Sequence, residues 1–272
     1  MERVLGNPTR TCVVVARLGY EFVTDLPDVH QAILDHFSDS LSDRRDDAAL
    51  TTTISRGEIG FDPDAGAVTV SASGSVVTAT ANDAFTATID LSRRSGELVV
   101  GVDHLRIGVE NYLRIANAIM VLERGGVQLH SAGVIRDGYG FTFFGPADSG
   151  KTTSAGFSVD HHILSDDQNV LLPVDGGVTL CGVPFRSVAC PPSAAPGQAP
   201  LLRLLRLIQD QTNYLEPVGR VSGIAMLASQ CSFVNHLPDF TDQLLANCEE
   251  IVKRVPVEAL HFTRSADFWK II

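Results

Sequence analysis

The sequence predicts an α/β protein in two parts, a β-rich α+β N-terminal domain over residues 1–105 and an α/β domain over residues 106–272. Three observations carry the expectation. Short alternations of apolar and polar residues fill the first hundred positions, a helical period replaces them near residue 109, and a strand-like run then leads into a glycine-rich loop at 145–152. With 272 residues, 44% of them hydrophobic and 19% charged, the chain has the material for a sizeable core and lies far from the composition of disordered proteins.

In the N-terminal part, strands are expected at residues 12–18, 20–24, 50–55, 68–72, 76–81, 85–91 and 98–102, where Val, Thr and Ile recur. Turn-forming residues at 62–66 and 73–75 separate β-prone stretches and predict adjacent hairpins of an antiparallel sheet. A helix at 28–37 interrupts the strands, and the polar run 38–47 reads as a solvated loop.

Apolar residues at 109, 112, 113, 115, 116, 119, 120 and 122 then keep a helical spacing that Gly125 and Gly126 stop, so a packed core helix is predicted over 109–124. Strands follow at 127–130, 132–135 and 140–144, with Arg136, Asp137 and Gly138 as a turn. Residues 153–157 are suited to begin a helix, and 163–165 form a short strand. Strand, loop and helix in that order open a nucleotide-binding unit.

Charge and cysteine usage narrow the class. Twenty-one basic residues against 32 acidic ones give a net charge of −11, which repels phosphate backbones and anionic lipid, so no nucleic-acid or membrane partner is expected. No apolar run approaches the roughly 18–20 residues that crossing a bilayer demands, and the first dozen residues lack the apolar core of a signal peptide. The five cysteines, Cys12, Cys181, Cys190, Cys231 and Cys248, form no C-x-x-C pair; their odd number and uneven spacing read as a reduced, cytoplasmic protein.

Gly145, Pro146, Ala147, Asp148, Ser149, Gly150, Lys151 and Thr152 complete the pattern G-x-x-x-x-G-K-[ST]. Glycines let such a backbone curl so that successive N–H groups, through Thr153, point at phosphate oxygens. Lys151 reaches the β- and γ-phosphates, and Thr152 offers a hydroxyl to Mg²⁺. Lysine is a rare choice in this chain, occurring only at 151, 253 and 270 beside 18 arginines. ATP and Mg²⁺ are the expected ligands.

Two further elements surround the loop. Asp166 and Asp167 end the short strand 163–165, only 15 and 16 residues after Lys151. One carboxylate of such a pair can hold Mg²⁺ while the other takes a proton from an incoming hydroxyl, and the cation offsets their mutual repulsion. His130 ends the strand candidate 127–130, where it faces either the core or the site; on the site it would stabilise charge on a transferring phosphoryl group or tune the acid pair.

The stretch from Leu129 through His130 to Gly133, the loop 145–152 and the run from Leu164 to Asp167 together resemble the catalytic domain of HPr kinase/phosphorylase and its HPr-kinase-like relatives, which share their core with ATP-dependent phosphoenolpyruvate carboxykinase. The resemblance covers roughly residues 109–272. It implies that Lys151 binds the phosphates, that Thr152 holds the metal, and that His130, Asp166 and Asp167 carry the chemistry, with the family pattern leaning toward Asp167 as base and Asp166 near the metal. Arg186, after Gly182, Val183, Pro184 and Phe185, is a weaker candidate for a phosphate or acceptor contact.

Ser131 stands where true HPr kinases carry glycine after the histidine, and their later glycine-rich signature is missing after Gly177, so neither reversible phosphorylase activity nor HPr as substrate carries over. The chain is also much shorter than a carboxykinase. Short relatives such as the lasso-peptide kinases make a closer analogy. The function expected is therefore Mg²⁺- and ATP-dependent transfer of the γ-phosphoryl group to a hydroxyl acceptor, a serine of a peptide or protein or a small molecule. The alternative is a nucleotide-responsive binding module in which occupancy orders the loop 186–200 as a lid. Homo-oligomerisation is left open.

Overall fold

The computed structural model describes residues 7–43, 48–60 and 68–272. The chain is mixed α/β and divides into two compact units, Met1–Met120 and Val121–Ile272, each built on a mixed sheet.

In the first unit β1 (Thr9–Val15) and β2 (Leu18–Thr24) form a hairpin, followed by α1 (Pro27–His36), β3 (Leu41–Ser42), β4 (Ala48–Arg56), β5 (Thr69–Ser73), β6 (Val76–Ala81), β7 (Phe85–Asp90) and β8 (Ser95–Val100). The strand expected over 12–18 breaks because Ala16 and Arg17 both take positive φ, 48° and 67°, as a two-residue hairpin turn requires. The sheet order is β3-β1-β2-β4-β8-β7-β6-β5. Only part of it is the expected antiparallel arrangement. The β2–β4 and β4–β8 pairs are parallel, because α1 carries the chain back across the sheet before β4 and the β5–β7 meander does so before β8. The strand expected at 98–102 lies earlier, at Ser95–Val100, and the turn expected at 62–66 falls outside the described residues.

Helix α2 (Leu105–Glu123) buries Tyr112, Leu113, Ile115, Ala116 and Ile119. Two buried polar contacts fix its rotation in the first unit: Tyr112 Oη lies 2.7 Å from Thr52 Oγ1, and Tyr20 Oη donates to Asn117 Oδ1 at 2.8 Å. Tyr112 fits because residue 96 is glycine; a Cβ there would come within 2.1 Å of the phenol oxygen. These ties explain why the compact units divide at 120/121, near the end of α2, whereas the composition change at 105/106 marks only its start. The helix stops as expected: the N–H groups of Gly125 and Gly126 donate back to Leu122 and Val121 at 3.1 and 3.0 Å.

The second unit contains β9 (Val127–Arg136), β10 (Tyr139–Phe144), α3 (Lys151–Gly156), β11 (His162–Ser165), β12 (Gln168–Val174), β13 (Gly177–Gly182), β14 (Gln198–Gln209), β15 (Tyr214–Pro217), α4 (Arg220–Ser229), α5 (Thr241–Arg254) and β16 (Val257–Phe262). The two short strands expected at 127–130 and 132–135 are one, since Ser131 stays in the ladder opposite Phe144. The sheet runs β10-β9-β12-β13-β14-β16-β15, and a further β10–β14 pairing closes β9, β10, β14, β13 and β12 into a ring.

Three neighbouring strands, β10, β14 and β16, run parallel and carry their carboxyl ends, Phe144, Gln209 and Phe262, to one edge. That edge is where an α/β sheet offers a ligand site. β10 is buried on both faces, which is why its sequence is apolar at nearly every position. Phe141 and Phe143 pack with Leu205, Leu207, Phe262, Phe268 and Trp269. Trp269 is fastened by its indole N–H to Ser158 Oγ at 3.0 Å, and Arg136 donates to its carbonyl at 2.8 Å. Among the described residues no helix is long and apolar enough to cross a membrane.

Candidate functional site

Loop 145–150 leaves β10 and enters α3 at Lys151, two residues before the expected helix start. Gly150 takes φ 106°, which an L side chain rarely adopts, and a Cβ there would sit 2.7 Å from Cζ of Phe262. The loop is therefore seated on the end of β16. Gln209, the last residue of β14, donates to the Asp148 carbonyl at 2.7 Å and pins the loop from the other strand. The helix that follows is only six residues long, so the cradle depends on the loop backbone more than on a helix dipole.

Lys151 is 7% exposed and folds back into the loop, where Nζ donates to the carbonyls of Gly145 and Pro146 at 2.9 and 3.0 Å. An ammonium has three donors, so one remains. Burial pushes Lys151 below the usual lysine range, against the pull of Asp167 and Asp148. Ser149 Oγ is buried in the loop with no hydrogen-bond partner among the described residues. Such an orphaned hydroxyl is what a phosphate oxygen would satisfy.

Asp166 and Asp167 occupy the break between β11 and β12, and both strands pair with β9, so the pair lies directly beside residues 130–133. Ser131 N–H donates to the Asp167 carbonyl at 3.0 Å. His130, whose N–H donates to the Gln230 carbonyl at 2.9 Å, faces the site: its Nε2 is 3.5 Å from Asp167 Oδ1. The side chains of His130 and Asp167 are 43% and 20% exposed, whereas Asp166 is 1% exposed. The two neighbouring carboxylates thus have different surroundings.

Asp166 is held from two directions. Ser187 donates its N–H to Oδ1 at 3.0 Å and its hydroxyl to Oδ2, and Cys190 and Thr152 lie near enough to act on the carboxyl. Burial opposes its charge, but the two Ser187 bonds, with smaller contributions from Cys190 and Thr152, outweigh that and hold the carboxyl below the usual range. Burial, with the neighbouring Asp166 carboxylate, pushes the Cys190 thiol up to about 12. Thr152 and Asp166 bring two hard oxygen donors together, a set that suits Mg²⁺, which takes few protein ligands and completes its shell with water and phosphate.

A cavity of about 520 Å³ opens over the loop, lined by His130, Ala147, Asp148, Gly150, Lys151, Thr152 and Thr153 together with Gln209, Phe262 and Arg264. All the sequence-predicted residues thus meet in one region of the second unit. Gln209, Phe262, Arg264, Ser187 and Cys190 were not foreseen as site residues. The first three come from the ends of β14 and β16, and the parallel pairing that gathers them has no local signature. The segment 186–200 is not a free lid: besides the bonds to Asp166, Ala195 N–H donates to the Ile163 carbonyl at 2.9 Å and Ala194 is buried.

No family model matches the chain, and a search of curated proteins found no match.

Proposed function

We propose that the second unit binds ATP with Mg²⁺ and transfers the γ-phosphoryl group to a hydroxyl acceptor, a serine of a peptide or protein. The observation that carries this reading is the convergence of a complete G-x-x-x-x-G-K-[ST] loop with an acid pair and a histidine: His130 and Thr152 line one cavity, His130 faces Asp167, and Thr152 is near enough to act on the Asp166 carboxyl. The resemblance to HPr-kinase-like proteins supports the same assignment. The P-loop kinase type of fold is part of the proposal.

The loop backbone and the free donor of Lys151 bind the phosphates. Mg²⁺, held by Thr152 and Asp166, would neutralise charge on the β- and γ-phosphate oxygens. Asp167, the more exposed carboxylate, accepts the acceptor's hydroxyl proton, and His130 orients that carboxylate. Asp166 is disqualified as a base by its own hydrogen bonds, since a carboxylate held below the usual range is a weak proton acceptor. Catalysis is then mainly positioning and charge neutralisation.

A second reading keeps ATP binding without transfer. The two bonds from Ser187 to Asp166 link segment 186–200 to the proposed metal position, so occupancy would be felt there. The deciding experiment incubates the protein with Mg²⁺ and γ-labelled ATP beside serine-containing peptides and small hydroxyl compounds. Label on an acceptor, lost in Asp167→Asn, supports the kinase. ATP binding with no acceptor-dependent ADP release supports the module.

A further inference from the structure

Arg186 is fixed by its neighbours on both sides. The carbonyl of Phe185 accepts from Ser165 Oγ at 2.6 Å, and Ser187 bonds Asp166 through both its N–H and its hydroxyl. Residue 186 is therefore clamped against the end of β11, next to the Asp166 carboxylate. Its guanidinium is close enough to act electrostatically on Cys190, which lies near that same carboxylate. Yet among the described residues Arg186 makes no ion pair with Asp166, and its Nε is buried with no hydrogen-bond partner.

A buried guanidinium nitrogen without an acceptor is rare in a folded protein, and arginine's planar fork matches phosphate oxygens. Asp166 is turned to Ser187, which bonds both of its oxygens, and is not the acceptor of the Arg186 Nε–H. Asp148 and Asp167 offset part of the charge of the buried Lys151, which favours a further cation beside the terminal phosphate. We propose that Arg186 binds oxygens of the γ-phosphoryl group and stabilises the charge that develops on it during transfer. The assignment rests on the ATP reading given above. It makes Arg186 specific for the triphosphate: ADP offers no oxygen at that position.

The test compares Mg²⁺·ATP with Mg²⁺·ADP by competition against a fluorescent nucleotide, in the wild type, Arg186→Gln, Arg186→Lys and Lys151→Ala. The expected result is a loss of about tenfold or more in ATP affinity for Arg186→Gln with ADP affinity nearly unchanged, the size of one charge-assisted contact. Unchanged ADP binding also reports that the variant is folded. Arg186→Lys is expected to fall between, keeping the charge and losing the fork. An unchanged ATP-to-ADP ratio in Arg186→Gln overturns the proposal, as it would if the guanidinium served an anion of the acceptor instead. Equal weakening of both nucleotides overturns it too. If the wild type binds neither nucleotide, the ATP reading falls and takes this inference with it; if Lys151→Ala loses both while Arg186→Gln keeps the wild-type ratio, only this inference falls.

Discussion

His130 Nε2 stands 3.5 Å from Asp167 Oδ1, while the adjacent Asp166 turns away to Ser187. The strand break at 166–167 gives two consecutive carboxylates different surroundings, and the proposed function gives them different tasks. Asp167→Asn is accordingly expected to lower phosphoryl transfer by about 10²–10⁴-fold, the range for removing a general base, with ATP affinity nearly intact. Asp166→Asn should instead weaken the Mg²⁺-dependent part of ATP binding. Transfer rates and metal-dependent affinities measured on both variants check the division.

Lys151 predicts a pH dependence. Burial lowers its folded-state value below 10.5, so the unfolded chain holds this proton more tightly. ATP affinity should therefore fall with rising pH at values below the ordinary lysine range. Asp167 and Asp148 raise the Lys151 value, so Asp148→Asn should move the alkaline limb further down. A pH series of ATP dissociation constants reads both shifts.

Asp166 has the opposite sign. Its folded value lies below 3.8, so the stabilisation from its hydrogen bonds is present above that pH and is lost as pH falls through the folded value. Ser187→Ala removes the hydroxyl contact, the largest favourable one, while keeping the backbone N–H bond, and should shift acid unfolding of the second unit to higher pH. Denaturation monitored between about pH 2 and 6, a span bracketing the ordinary carboxylate range, checks it.

Gly150→Ala tests the loop geometry. The new Cβ meets φ 106° and the Phe262 ring at once, a strain of about 1–3 kcal/mol. Nucleotide affinity should fall far more than melting temperature, because the loop moves while the sheet beneath it stays. Comparable losses in both would mean that the loop is a fold element only.

Gly96→Ala probes the first unit in the same way. A methyl group 2.1 Å from Tyr112 Oη displaces the phenol from Thr52 and costs about 1–3 kcal/mol by overpacking. Chemical denaturation should show the loss, with ATP binding by the second unit retained.

The glycine-rich loop between a strand and a helix, the position of Asp166 and Asp167 at a strand end and the core helix were legible because each is local: the loop motif needs fixed residues at fixed spacing, and α2 declares itself by its period and its two stopping glycines. His130 was ambiguous because a strand-end residue faces either side until its neighbours are known; the β9 pairings with β10 and β12 decide that it faces the cavity. Gln209, Phe262 and Arg264 were invisible for a different reason. They reach the loop from far along the chain, Gln209 bonding Asp148 across 61 residues, through parallel pairing, and a parallel register leaves no turn or alternation to read. Parallel pairs in the first sheet were missed on the same grounds, and the hairpin at Ala16 and Arg17 was missed because it uses neither glycine nor asparagine.

The central claim is that residues 145–152 form a working, metal-dependent nucleotide site. Calorimetric titration of ATP with and without Mg²⁺ into the wild type and Lys151→Ala tests it most directly. Binding that requires Mg²⁺ and disappears in Lys151→Ala is the predicted result; a wild type that takes up no heat with ATP, or a Lys151→Ala variant that binds as tightly as the wild type, would contradict it.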